Sequence, residues 1–314
     1  MSNDRRLPPT HTITQVRTPM FLPVKQFKKA VDESIVHTYE NSIATVEVSG
    51  PRLNQSHRDI LDLIFSSYEV VNETGDGSVE YAFTLYDLQK RLGKKTLNNQ
   101  AWIEQKLNDL KKVQFRMRLK EDAAALKGIR FKVNDFHFSV LNDTARSSEH
   151  GSGKTGEGLY VVQFNRYYMR FIEADLKVRY DANLLDSLID VESPQVRAII
   201  RYCLSHGSVK GYKFHEPLKK VFNMIGLAEP FLPPSSISKY KKEILAHTDL
   251  LRDTFGIEIK PMKTRSELGV YYQHKEGNGV TFEKPHADIA DNFERVMPSY
   301  FNEDQIDLFG EDED

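Results

Sequence analysis

Apolar positions recur at three- and four-residue spacing in some stretches of the chain and at every second residue in others. The changes of period mark out the elements. Residues 1–24 keep neither period and contain Pro8, Pro9, Pro19 and Pro23, which predicts an irregular arm with Met20-Phe21-Leu22 as a docking spot. Alternation over 42–48 predicts a strand that stops at Gly50-Pro51. Ile60, Leu61, Ile64 and Phe65 share one face of a helix expected over about 55–71, with Asn54 as its N-cap. Gly75 and Gly77 mark a loop, 79–83 reads as a short strand, and Thr84 with Asp87 has the shape of a capping box opening a brief helix that ends at Gly93. A longer helix is expected over about 97–112. Alternating strands follow at 113–119 and 129–133, joined through 120–128.

The small polar residues of 144–158, with Gly151, Gly153, Gly156 and Gly158, read as a linker. Beyond it lie a strongly β-like run, 159–164, and an aromatic, basic stretch, 165–171. The earlier order of elements then returns. A helix opens at Ser193-Pro194, turns Val196, Ile199, Ile200 and Leu204 inward and stops at Gly207. A short helix over 216–225 is stopped by Gly226, and Pro233-Pro234 precedes a third helix over 235–252. Strands at 256–260 and 270–274 flank the basic loop 261–269, with a turn at 277–279. Three helices closed by a β-hairpin are the grammar of a winged helix. The expected fold class is therefore α+β: two tandem winged-helix domains with a β-rich connecting segment, a flexible N-terminal arm and an acidic C-terminal tail. The expected divisions are an arm (1–40), a first winged helix (41–143), a linker (144–158), a second winged helix with its preceding β segment (159–286) and a tail (287–314).

In such folds the third helix enters the major groove and the hairpin loop lies along the backbone or minor groove. In the first unit the third helix turns Ile103, Leu107 and Leu110 inward, which sets Asn98, Ala101, Gln105, Asn108 and Lys112 on the opposite side. Asn and Gln can bond an adenine edge twice, and Lys reaches a phosphate or guanine, so Asn98, Gln105, Asn108 and Lys112 are candidate DNA contacts. In the second unit Ile237, Ile244, Thr248 and Leu251 face inward. Ser235, Lys239 and Lys242 face outward with Lys241 on the flank, and the hairpin adds Lys260, Lys263 and Arg265. Cations gathered on one helix and its hairpin are the footprint of phosphate binding, which makes Ser235, Lys239, Lys241, Lys242, Lys263 and Arg265 the second candidate set. A plain solvated helix face is the alternative in both units.

Charge sharpens this picture. The chain of 314 residues carries 43 basic and 45 acidic residues, a net −2. Residues 287–314 hold ten acids and one base, so residues 1–286 carry 42 − 35 = +7. A basic body suits a polyanionic partner, and an acidic tail suits an exposed segment. Cys203 is the single cysteine, so neither an intrachain disulfide nor a cysteine-rich zinc site is expected. No apolar run approaches the ~20 residues of a membrane span. The first six residues lead into prolines rather than an apolar core, so no signal peptide and a cytoplasmic location are expected.

No catalytic constellation emerges. Gly151-Ser152-Gly153-Lys154-Thr155 lacks the earlier glycine of a phosphate-binding loop, because that position is Ser148. Tyr167-Tyr168 would suit a nicking enzyme such as a relaxase, but the paired-histidine metal motif is missing and His137 lies between Phe136 and Phe138. Asp186, Asp190 and Glu192 read as a solvated run before a helix, and Cys203 as a small core residue. No cofactor, metal site or enzymatic activity is expected.

The two units, with Leu53-Asn54-Gln55 opening the first helix and Phe83-Thr84-Leu85-Tyr86-Asp87-Leu88 preceding the helix with Trp102, resemble the TrfA-like replication initiators of iteron-containing plasmids. The resemblance covers roughly 40–285 in layout. Independently, Gln305-Ile306-Asp307-Leu308-Phe309 looks like the pentapeptide by which bacterial replication proteins dock on the sliding clamp, with Ile306 in place of the usual Leu. Together these imply a non-enzymatic initiator that binds repeated double-stranded origin sites. The resemblance further implies opening of an adjacent AT-rich duplex, contact with the sliding clamp, the host initiator and the replicative helicase, and a monomer–dimer equilibrium. A winged-helix transcriptional regulator or autorepressor is the alternative, and it would have no use for the pentapeptide.

Overall fold

The structure is a computed structural model and describes residues 10–25, 36–40, 44–68, 70–93, 100–120, 135–146, 159–175, 177–206, 213–227, 234–262, 267–273 and 277–283. Strand β1 (Thr10–Thr12) runs into helix α1 (Ile13–Arg17) through a reciprocal cap, in which the Gln15 N–H donates to Thr12 Oγ1 and the Thr12 N–H to Gln15 Oε1, both at 3.2 Å. Strands β2 (His37–Glu40) and β3 (Ala44–Ser49) follow, β3 burying Ala44, Val46 and Val48 on its inner face.

Helix α2 (Gln55–Ser67) starts at the predicted Asn54 cap but ends before Val71, because residues 70–73 instead form β4 (Val70–Glu73), which hairpins onto β5 (Val79–Phe83). Two β-branched residues, Val70 and Val71, favour the strand, and Gly77 at φ 87° permits the turn. Helices α3 (Leu85–Arg91) and α4 (Gln100–Lys112) lead to β6 (Gln114–Leu119). The expected partner strand, 129–133, lies outside the described residues. Among those described, β6 pairs with β7 (Asp135–Phe138), where Phe136 and Phe138 alternate inward. The sheet order is β2-β3-β6-β7.

Strand β8 (Leu141–Arg146) covers the first residues of the stretch expected as a linker, and 147–158 lie outside the described residues. It pairs with β9 (Tyr160–Phe164), which also pairs with β5, so the sheet β4-β5-β9-β8 joins residues 160–164 to the first unit. The aromatic, basic stretch forms helix α5 (Arg166–Ala174), capped by Asn165, because Tyr168, Phe171 and Ile172 fall on one buried helical face. Strand β10 (Lys177–Tyr180) and helix α6 (Ala182–Ile189) complete the connection.

The second unit opens with α7 (Pro194–Leu204), carrying proline in its first turn as predicted. A strand missed by the periodicity, β11 (Lys213–Pro217), takes up the first residues of the expected short helix, which becomes α8 (Leu218–Met224). The expected third helix is two: α9 (Pro234–Leu245) and α10 (Thr248–Phe255). His247 Nδ1 bonds the Glu243 carbonyl at 2.7 Å at the break, and Gly256 closes α10 in the left-handed region at φ 67°. Strands β12 (Ile257–Pro261) and β13 (Leu268–Gln273) form the hairpin, in sheet order β11-β13-β12. Finally β14 (Val280–Glu283) joins β10 and β1 in a fourth sheet. The fold is α+β with two winged-helix-like units, as expected.

The N-terminal arm departs most from expectation. Its residues 10–25 are not loose: Ile13, Thr14, Met20, Phe21 and Leu22 are buried. The Thr14 N–H donates to Asp175 at 2.9 Å, and Gln15 Nε2 donates to the Tyr168 hydroxyl at 3.1 Å. Arg17 donates to the Ser205 carbonyl at 2.7 Å, and Gln55 Nε2 to the Phe21 carbonyl at 2.7 Å. Gly226 has φ 80°, and Leu22 packs 2.8 Å from where a side chain there would begin. Met20-Phe21-Leu22 thus docks on its own chain, against both units.

Beneath the arm, α2 and α7 share buried charge. Arg201 donates to Asp59 at 2.6 Å, Asp62 at 2.8 Å and Gln55 at 2.6 Å. Arg197 reaches Asp59 at 3.2 Å, and Arg58 reaches Asp62 at 3.0 Å and Gln15 at 2.8 Å. Burial alone would lower the Arg201 guanidinium, but the two carboxylates outweigh it and keep the group charged. Arg201→Ala should therefore destabilise the protein by about 3–5 kcal/mol, by leaving carboxylates under-neutralised in the interior. Urea unfolding measures this, and a loss below about 1 kcal/mol would contradict the assignment.

Candidate nucleic-acid interface

Each unit presents one helix whose inner face is fixed by packing and whose outer face is polar. On α4, Ile103, Leu107 and Leu110 are fully buried, as their spacing predicted. Gln105, Asn108 and Lys112 lie on the exposed side with Ala101, and Asn98 lies outside the described residues. The helix is anchored beyond its apolar stripe. His57 of α2 faces Asp109 of α4, Nε2 to Oδ2 at 3.1 Å, and Gln105 Nε2 donates to the other Asp109 oxygen at 2.8 Å. The Asn54 backbone N–H donates to His57 Nδ1 at 2.9 Å, so the ring proton sits on Nε2 and is given to Asp109. Burial lowers His57 to a pKa of about 4, so the ring is neutral. Burial pushes the Asp109 carboxyl up, but the hydrogen bonds from His57 and Gln105 outweigh it and hold it below the ordinary value. Gln105 is thereby held by one of its two N–H donors, and its other amide groups have no partner among the described residues. Lys111, not singled out from the sequence, pairs with Asp143 of β8 at 2.5 Å.

On α9, Ile244 is fully buried, and Ile237 and Tyr240 pack half-buried against the core. Ser235, Lys239 and Lys242 form an exposed stripe at helical spacing, flanked by Ser238 and Lys241. Lys263 and Arg265 lie outside the described residues. Lys260 is engaged at home, 2.5 Å from Glu258 and above the Tyr271 ring at 4.6 Å.

The distribution of ion pairs separates these faces. On the outer face of the sheet β2-β3-β6-β7, Arg116 pairs with Asp135 at 3.0 Å, Arg118 with Glu47 at 3.5 Å and Lys120 with Glu40 at 2.5 Å. In the second unit Lys220 pairs with Glu216 and Arg252 with Asp249, at 2.8 and 2.9 Å. Lys239, Lys241 and Lys242 have no ion-pair partner among the described residues. Among the described residues no acid neutralises their charge, which leaves it available to an external anion.

The groups weighed for catalysis go elsewhere. Tyr168 is buried and pushed up to about 12 by that burial. Cys203 is fully buried, which raises its thiol well above the ordinary value. Asp190 ends α6. The glycine-rich stretch 151–155 lies outside the described residues. Among the described residues no group of three His, Cys, Asp or Glu could hold a metal ion, and no helix is long and apolar enough to cross a membrane.

No family model matches the chain, and no curated protein is similar to it in sequence. Among solved structures it is similar to a crystal structure of domains 2 and 3 of RctB, with a TM-score of 0.52 and 12% identity, covering 83% of this chain and 98% of that one. A second structure of the same RctB domains has a TM-score of 0.46, 12% identity and coverage of 82% and 94%. The first shows that the fold is shared.

The burial of His57, which outweighs its contact with Asp109, gives a pH signature. His57 titrates at 6.5 unfolded and about 4 folded, so the unfolded chain takes up the proton first as pH falls. Stability drops through that window by up to about 3 kcal/mol. His57→Gln removes this component, so the gap between the unfolding free energies of the two proteins should narrow from pH 7 to pH 4.5. A constant gap would contradict the assignment.

Proposed function

We propose that this protein initiates plasmid DNA replication in the bacterial cytoplasm by binding repeated double-stranded origin sites, or iterons, through both winged-helix units, with no catalytic step of its own. The observation that carries this reading is the contrast in charge: α9 exposes Lys239, Lys241 and Lys242 without an acid partner among the described residues, while the cations on the outer face of the sheet β2-β3-β6-β7 are paired at home. Gln105 and Asn108 on α4 supply groups suited to base edges, and the lysines of α9 supply phosphate contacts. The shared fold supports the same direction, since RctB is a replication initiator of a bacterial chromosome origin. The pentapeptide Gln305–Phe309, which lies outside the described residues, recruits the sliding clamp through Leu308 and Phe309. The host initiator and the replicative helicase are further partners, and the protein exchanges between monomer and dimer.

Two measurements test this. Changing Lys239 and Lys242 together to Ala should weaken duplex binding on every sequence and flatten the slope of log K against log salt by about 2. An unchanged slope removes α9 from the interface. The second is replication of a circle that carries the gene and its native flanking DNA but no other origin. The intact gene should give stable colonies, and Leu308→Ala with Phe309→Ala should not. Colonies with both remove the clamp from the account. No colonies with either, despite expression and tight binding to the flanking DNA, identify a transcriptional regulator.

A further inference from the structure

Between α8, α9 and the start of β13 lies an open groove of about 560 Å³. Phe222, Ile237 and Leu268 form its apolar floor, and the exposed Lys219 and Lys241 stand at its rim with Glu267. Neither lysine has an ion-pair partner among the described residues, whereas Lys220, one position along α8, is paired with Glu216. The volume is that of a site for a small molecule or a pair of anchoring side chains. Its surroundings are cationic, and it adjoins the outward stripe of α9.

We propose that this groove is a docking site for the chain's own C-terminal segment, 303–314, and that the docked segment screens the α9 face from DNA. The segment has the matching chemistry. It carries seven acids (Glu303, Asp304, Asp307, Glu311, Asp312, Glu313 and Asp314), no base, and the adjacent apolar residues Leu308 and Phe309. Leu308 and Phe309 enter the floor while the flanking acids meet Lys219 and Lys241. The segment is tethered at Glu283, which is held in the sheet opposite Lys177. The intervening residues 284–302 span up to about 65 Å when extended and about 24 Å as a flexible coil, a reach on the scale of the protein's own dimensions. Tethering keeps the local concentration near the millimolar range, so even a weak groove is occupied. Duplex DNA, which brings many phosphates, displaces the segment, and displacement frees Leu308 and Phe309 for another partner. The inference does not depend on what that partner is.

The test uses the full chain with a photo-crosslinking phenylalanine analogue at position 309. Crosslinks should map to α8 and α9, disappear in excess duplex DNA, and fall sharply in Lys219→Glu, a change at an exposed position that spares the core. In parallel, deleting 303–314 should raise affinity for non-specific duplex at low salt by about threefold or more, with the gain vanishing at high salt. Crosslinks that map elsewhere, or to a second copy with a steep dependence on protein concentration, overturn the proposal, as does equal duplex affinity with and without the segment. A deletion that blocks replication without raising DNA affinity overturns this proposal and leaves the initiator reading intact.

Discussion

The structure turns on a charge that cannot be left alone. Arg201 of α7 is almost wholly withdrawn from water and lies against Asp59 and Asp62 of α2. Removing a guanidinium and two carboxylates from water costs several kcal/mol per ion, and only close, well-bonded geometry offsets that. The first helices of the two units must therefore face each other in one arrangement. The arm completes it: Gln15 accepts from Arg58, and Gln55 both accepts from Arg201 and donates to Phe21. The relative placement of α4 and α9, each packed on its own unit, follows from this contact. An apolar interface would bind as well but would tolerate sliding, whereas a charged one is intolerant of misregister.

A second allocation of charge gives the surface its character. The cations of Arg116, Lys120 and Lys260 are each matched by an acid a few ångströms away, which removes them from long-range electrostatics. Those on α9 are not matched by any described acid. The net −2 of the chain hides this, because the acids that balance the sum are concentrated in the tail. A chain whose body is net positive and whose C-terminal stretch is net negative carries both signs of charge in separate segments of one molecule, and the unpaired lysines of α9 are part of the positive share.

The winged-helix grammar was legible in the sequence most clearly where the inner stripe is purely apolar, as on α4. Ile103, Leu107 and Leu110 repeat at helical spacing with no polar interruption, and all three are fully buried. What was illegible lacks period or acts at long range. Strand β11 has only Phe214 facing the core, too little alternation to read. The break between α9 and α10 falls where the apolar period continues, and a side-chain bond from His247 marks it. The arm is buried through Thr14, Gln15 and Arg17, polar residues whose partners Asp175, Tyr168 and Ser205 lie more than a hundred positions away. The anchoring of α4 by His57 is a contact between helices, invisible to either helix alone. The outward residues of α4 and α9 were legible as a face. Which lysines remain unpaired was not, because pairing depends on which strands become neighbours.

The central claim is that α4 and α9 read duplex DNA together, as one body fixed by the arm and the Arg201 contact. Footprinting of the intact protein on the DNA flanking its gene tests this most directly. One continuous protection of about two helical turns, roughly 20 base pairs, is expected, with substitutions on α4 opening one half of it and substitutions on α9 the other. Protection of a single turn that is indifferent to changes on one of the two helices would contradict the account.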